Sequence, residues 1–285
     1  MALFLRWPQF KTLMRLDRPV GTYLLLWPTL WGLWLAAKGT PKLDVLVIFV
    51  VGVYVMRAAG CVINDYADRK VDAHVQRTNQ RPLATGEISA KEALGLFFGL
   101  CSIAFILVLF TNSYTVKLSL LALLLASAYP FMKRYTHWPQ AVLGAAFAMA
   151  IPMGFAAQTQ GTDSTAWLAF AAAVCMTIAY DTYYAMVDRD DDLKIGLRST
   201  AILFGTWDLR IIGLFQAACV GILCVIGVIN QLNSPFYIGV AVMSGMFVYQ
   251  HKLGRSRKKD HYFKAFINNH WAAFSVWVGL LVNYW

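Results

Sequence analysis

Charge is what this sequence has least of. Only 14% of its 285 residues are Asp, Glu, Lys or Arg, against about 25% in an ordinary soluble domain. The hydrophobic share is 59%, where about 45–50% is usual. A core of ordinary size cannot hide that surplus, so most of it must face something other than water. Disorder, a simple soluble enzyme and a nucleic-acid-binding domain driven by the net charge of +10 are all excluded. Zinc-type cysteine spacing is missing as well. Cys61, Cys101, Cys175, Cys219 and Cys224 sit in apolar stretches, with no CxxC pair, and read as small buried hydrophobes. There is no period-two alternation, which excludes a membrane barrel. The amphipathic, basic segment 1–17 lacks the uninterrupted apolar region of a signal peptide, and predicts an interfacial helix on the membrane surface.

What the sequence has instead is long apolar runs. Crossing about 30 Å of hydrocarbon takes roughly 20 mostly apolar residues. Nine candidates fit, at 20–37, 45–63, 93–110, 116–131, 140–157, 166–187, 211–229, 236–250 and 271–284. Pro28, Pro130 and Pro152 fall within or at the end of spans, where membrane helices tolerate kinks. The expected fold is an all-α membrane protein of nine transmembrane helices, one polytopic domain over 1–285. With nine spans, 22 of the 25 basic residues lie on one side, leaving Lys38, Lys42 and Lys117 opposite. The positive charge is thus an orientation signal that predicts a cytoplasmic N-terminus.

The carboxylates are concentrated. Eight of 15 acidic residues fall in two groups, Asp65/Asp68/Asp72 and Asp181/Asp188/Asp190/Asp191/Asp192. Both map to the cytoplasmic side, one ending the second span and one the sixth. This is a faint echo of an internal duplication. In a helix, Asp65, Asp68 and Asp72 share one face, as do Asp181, Asp188 and Asp192 with Tyr184 between them. Stacked like charges near lipid are costly, so something must neutralise them. Carboxylate oxygens without His or Cys suit a hard divalent cation, most often Mg²⁺, which completes its shell with water and substrate phosphates. Two such helix ends facing each other would hold a metal-bound diphosphate, with Lys70, Arg77, Arg81, Lys194 and Arg198 neutralising further phosphate charge. Departure of that diphosphate from an allylic lipid leaves a carbocation, which a dry, aromatic-rich cavity protects.

Other readings stand beside this one. Either acidic cluster alone also reads as a solvated helix end, and Asp190 and Asp191 read as solvent-facing spacers. Asp181, about two turns deeper, is either functional or a buried structural hydrogen-bonding group. Arg134, in the island 129–135, could clasp a small aromatic acid or anchor a helix end. Arg57, two turns before Asp65, needs an anionic partner. The basic run 252–264 reads as topology and lipid-headgroup contact. A cation-coupled transporter is the competitor from another class, but it expects carboxylates near the midplane rather than crowded at one end.

The pattern Asn64-Asp65-x-x-Asp68-x-x-x-Asp72, with Asp188-x-x-x-Asp192, resembles the two aspartate motifs of the UbiA-type intramembrane prenyltransferases. The stretches from Tyr180 to Asp192, Met56 to Cys61, Arg81 to Leu83 and Tyr129 to His137 resemble the branch acting on 4-hydroxybenzoate. That resemblance implies nine helices around a cavity open laterally to lipid, and Mg²⁺-diphosphate held by Asp65, Asp68, Asp72, Asp188 and Asp192. It implies Asn64 beside the metal shell and Arg134 at the benzoate carboxylate. The implied substrates are a polyprenyl diphosphate and 4-hydroxybenzoate, joined at the ring carbon beside the hydroxyl in ubiquinone biosynthesis, with no protein partner. Naphthoate, homogentisate or haem would be the alternative acceptors.

Overall fold

The computed structural model describes residues 6–72 and 78–285, and among them every regular element is a helix. In order these are α1 (Trp7–Leu13), α2 (Val20–Ala37), α3 (Leu43–Asp72), α4 (Ala90–Leu109), α5 (Ser113–Met132) and α6 (Pro139–Ala148). There follow α7 (Ala150–Thr159), α8 (Ser164–Lys194), α9 (Thr200–Phe204), α10 (Asp208–Ile229), α11 (Ser234–Arg255) and α12 (Lys259–Asn283). Counting α6–α7 and α9–α10 as one rod each, eight rods are long and apolar enough to cross a membrane.

The eighth expected span, 236–250, falls in α11, which is 22 residues long but is not among those eight rods. Part of its polarity is paired inside the bundle. Gln216 of α10 donates to Gln250 at 2.9 Å, and Gln250 donates to Asn268 of α12 at 3.0 Å. Buried amides paired this way are tolerated where unpaired ones are not. α11 also lies against α12 with almost no side chain between them. A Cβ on Gly239 would meet the Ser275 carbonyl oxygen at 2.5 Å, and one on Gly279 the Pro235 carbonyl oxygen at 2.7 Å. Small residues permit that approach where lipid supplies no hydrophobic drive for helix association.

Two helices run longer than the sequence led us to expect. α3 has 30 residues and α8 has 31, against the expected spans 45–63 and 166–187. At 1.5 Å per residue each reaches about 45 Å, well past about 30 Å of hydrocarbon. Both acidic segments are therefore last turns of spanning helices. The expected span 140–157 is instead broken between Ala148 and Ala150. Pro152 has no N–H to give the Ala148 carbonyl, and its ring crowds that group, so the helix bends there. α2 runs through the centre of the core, with Trp31 fully buried and donating to the Ala273 carbonyl at 2.9 Å. α1 docks Leu13 and Met14 against Ala58, Val62, Ile88 and Phe97, and leaves Trp7 half-exposed.

Candidate functional site

The ends of α3 and α8 open onto one cavity of about 770 Å³, lined by Asn64, Asp68 and Asp72 from α3 and by Asp181, Tyr184, Asp188 and Asp192 from α8. The two acidic stretches, more than a hundred residues apart, thus share one chamber. Deeper in, the wall is apolar and aromatic, with Phe49, Phe147, Tyr180 and Phe266 among its members. Arg57, Arg81 and Arg198 line it too.

The helical spacing that put Asp65, Asp68 and Asp72 on one face holds, and that face is turned inward. The three are 1%, 2% and 6% exposed. Each is answered by a cation. Arg15 donates to Asp65 Oδ1 at 2.7 Å. Arg81 lies 3.0 Å from the same oxygen and donates to Asp72 Oδ2 at 2.8 Å, bridging two carboxylates about two turns apart on one helix face. Lys133 Nζ donates to Asp68 Oδ2. Burial opposes the charge of Arg15, but the Asp65 carboxylate holds its guanidinium above the ordinary range. On α3, arginine and lysine therefore supply part of the neutralisation that the stacked acids require. Two acceptor atoms, Asp65 Oδ2 and Asp68 Oδ1, stay buried without a hydrogen-bond donor. Among the described residues no three His, Cys, Asp or Glu side chains converge closely enough to enclose a metal ion.

The remaining candidates divide. Arg57 lies in the wall with its guanidinium over Gly21 of α2, where a Cβ would meet Arg57 Nη2 at 2.2 Å. It makes no hydrogen bond or ion pair among the described residues, and interacts electrostatically with Asp181. Arg198 lines the cavity and donates to the Tyr135 carbonyl at 2.7 Å. Arg134 does not line it. Its guanidinium donates to the Ala67 carbonyl, rests over Phe131 and lies 3.9 Å from Asp68 Oδ1. Asp65 is likewise behind the wall rather than in it. Lys70 and Lys194 are exposed and outside the lining, with Lys194 3.3 Å from Asp191. Asp190 is 65% exposed and 3.1 Å from Lys259, so Asp190 and Asp191 are the surface spacers they were expected to be. Arg77 lies outside the described residues.

Three contributors went unseen in the sequence. Arg15 and Lys133 complete the carboxylate pairs. Behind α8, Asp208 is fully buried and takes Arg257 Nη1 on both oxygens at 2.7 Å and Arg189 Nη2 on Oδ2 at 2.6 Å. That clamp fixes the residue next to Asp188. The hydrogen bond to Asp208 holds the Arg257 guanidinium above its ordinary range. The one signal available was Asp208 itself, an isolated acid opening an apolar run.

Fold and chamber define a multi-pass helical membrane protein with a charged mouth and an apolar interior. The chain belongs to the UbiA prenyltransferase family, whose profile matches residues 25–277. It is 59% identical to a 4-hydroxybenzoate octaprenyltransferase of Chromohalobacter salexigens over 98% of this chain and 94% of that one. It is 52% identical to one of Serratia proteamaculans over 98% and 97%. Among solved structures, a UbiA homologue of Aeropyrum pernix superposes with a TM-score of 0.82 at 24% identity, over 92% of this chain and 97% of that one. One of Archaeoglobus fulgidus, bound to GPP and Mg²⁺, gives 0.65 at 20% identity over 94% and 99%. These last two likenesses concern the fold.

Proposed function

We propose that this chain transfers a polyprenyl group from its diphosphate to the ring carbon ortho to the hydroxyl of 4-hydroxybenzoate, a step of ubiquinone biosynthesis. The bond from the allylic carbon to the diphosphate oxygen breaks, a carbon–carbon bond to the ring forms, and the ring proton leaves. The observation that carries the reading is that both aspartate motifs line one chamber whose mouth is charged and whose depth is apolar. The names of the relatives supply the acceptor and an eight-unit donor chain.

The residues present fit Mg²⁺. It takes only one or two protein carboxylates and fills the rest of its shell with water and phosphate oxygens, so a closed cage is not required. Asp68 and Asp72 on one wall and Asp188 and Asp192 on the other would hold it, and the buried free oxygen of Asp68 is an acceptor awaiting a partner. When bound, the ion supplies positive charge to the departing diphosphate. Lys133, Arg81 and Arg198 add fixed positive charge where the same negative charge develops. Arg57 faces the chamber without a carboxylate of its own in hydrogen-bonding reach, which favours it over Arg134 as our candidate for the carboxylate of the acid. Asp188 and Asp192 are the candidates for accepting the ring proton. A cavity of about 770 Å³ is of the size that encloses a small ligand. An eight-unit chain must therefore leave sideways. Phe105 of α4 and Leu120 of α5 both line the chamber and are 40% and 53% exposed, which supports an exit between those helices.

The balance of basic residues supports a cytoplasmic mouth in the bacterial inner membrane. Incubating inverted membrane vesicles with labelled polyprenyl diphosphate, Mg²⁺ and a panel of aromatic acids tests the reading. Prenylated 4-hydroxybenzoate is expected, lost on chelation and restored by Mg²⁺. Product with a naphthoate or homogentisate alone would replace the acceptor.

A further inference from the structure

Beside the Asp208 clamp, with which it shares Arg257, α10 and α11 leave a second pocket of about 540 Å³. Its lining includes Trp207, Arg210, His251, Arg255 and Arg257, with no carboxylate among the residues that form it. Among the described residues, only Arg257 of these has an anionic partner, the buried Asp208 behind it. Arg210 stacks on the Trp207 ring at 4.5 Å and makes no ion pair among the described residues. Arg255 has none either, and it interacts electrostatically with His251. Guanidinium groups offer donors and no acceptors, so they cannot satisfy one another. Converging like charges without a counter-charge call for an anion, and paired guanidinium forks match the oxygens of a phosphate.

The surroundings indicate where such an anion comes from. The Arg189–Asp208 bond puts the pocket at the same end of the bundle as Asp188. Trp207 is 57% exposed, and Leu214, about one turn further along α10 than Arg210, is 69% exposed. An exposed tryptophan beside arginines, at the end of an exposed apolar helix face, marks the level of lipid headgroups.

We propose that this pocket binds a phosphate-bearing anion at the membrane surface through Arg210, Arg255 and Arg257. The test is native mass spectrometry of the full chain, titrated with phosphatidylglycerol, with net-neutral phosphatidylcholine and with inorganic phosphate. Wild-type protein is expected to retain phosphatidylglycerol in preference to phosphatidylcholine. The Arg210→Gln/Arg255→Gln variant is expected to lose about 30-fold in apparent affinity, from two charge contacts at the surface. The Lys11→Gln/Lys91→Gln variant removes equal charge outside the pocket and is expected to stay within about twofold. Retention that inorganic phosphate does not compete away identifies the lipid as source. Binding of inorganic phosphate itself, with the same dependence on the two arginines, identifies a free anion. Absence of binding, or an equal loss in both double variants, overturns the proposal, because it leaves only a diffuse basic surface. Both arginines are exposed, so thermal melts should remain at the wild-type value and separate lost binding from lost fold.

Discussion

At Asp68 one carboxylate oxygen is held by Lys133 and the other is buried with no donor. An Asn there keeps the shape but removes the negative charge that would hold Mg²⁺ beside the diphosphate. Asp68→Asn should lower transfer by about 10²–10³-fold, the scale of losing one electrostatic contact to developing charge, with membrane insertion unaffected. Product formation per unit of membrane-inserted protein measures it, and turnover near wild type would remove Asp68 from the machinery. Arg57 makes a different prediction. Lysine keeps the charge but loses the planar fork, so Arg57→Lys should raise KM for the aromatic acid about tenfold and leave KM for the donor unchanged. A loss shared equally by both substrates would argue for a packing role against Gly21. At this scale the sequence showed the acids better than their partners. The spacing of Asp65, Asp68 and Asp72 fixes a common face, because the helix period is local. Lys133 and Arg134 are neighbours at a helix end, about 100° apart around the axis. Which of them meets Asp68 depends on how α5 docks on α3, and no local pattern reports that.

Between elements, the Asp208 clamp ties the start of α10 and the turn after α11 to α8 beside Asp188. Arg257 adopts a left-handed backbone there, with φ of 56°, which a non-glycine residue holds only when its surroundings fix it. Asp208→Ala removes the one carboxylate serving two arginines. Breaking a fully buried pair costs about 3–5 kcal/mol. Because Arg257 is 46% exposed and can rehydrate, about 2–3 kcal/mol is expected here. A melting temperature lowered by several degrees in detergent would register it, while an unchanged melt would mean the clamp is dispensable. The helices themselves were largely legible, since α2 begins and ends where its apolar run does. The extensions of α3 and α8 were not, because polar residues continue a helix past the membrane without any apolar periodicity to announce it. The break at Met149 needed Pro152 to be weighed against its own i−4 carbonyl.

Across the whole molecule, what decides chemistry is the chamber, a property no segment carries alone. The apolar runs predicted a bundle and the acids predicted a shared end, yet neither sets how deep the cavity goes or where it opens. α4 and α5 have only 17% of their most apolar stretches buried, against 72% for α2, so they form the thin side of the wall. If the tail of a long donor leaves there, filling that side must penalise long chains more than short ones. Ala126 of α5 lines the chamber, and Ala126→Trp adds a large ring to its volume. The diphosphate and the first prenyl units still fit at the mouth, so transfer from a two-unit donor should fall less than about threefold. Transfer from an eight-unit donor, whose tail must pass the new ring, should fall by tenfold or more, since overpacking costs about 1–3 kcal/mol where side chains cannot yield. The ratio of the two rates isolates passage of the tail from general damage to the fold, which would depress both donors alike. An unchanged ratio would send the chain out through some other pair of helices.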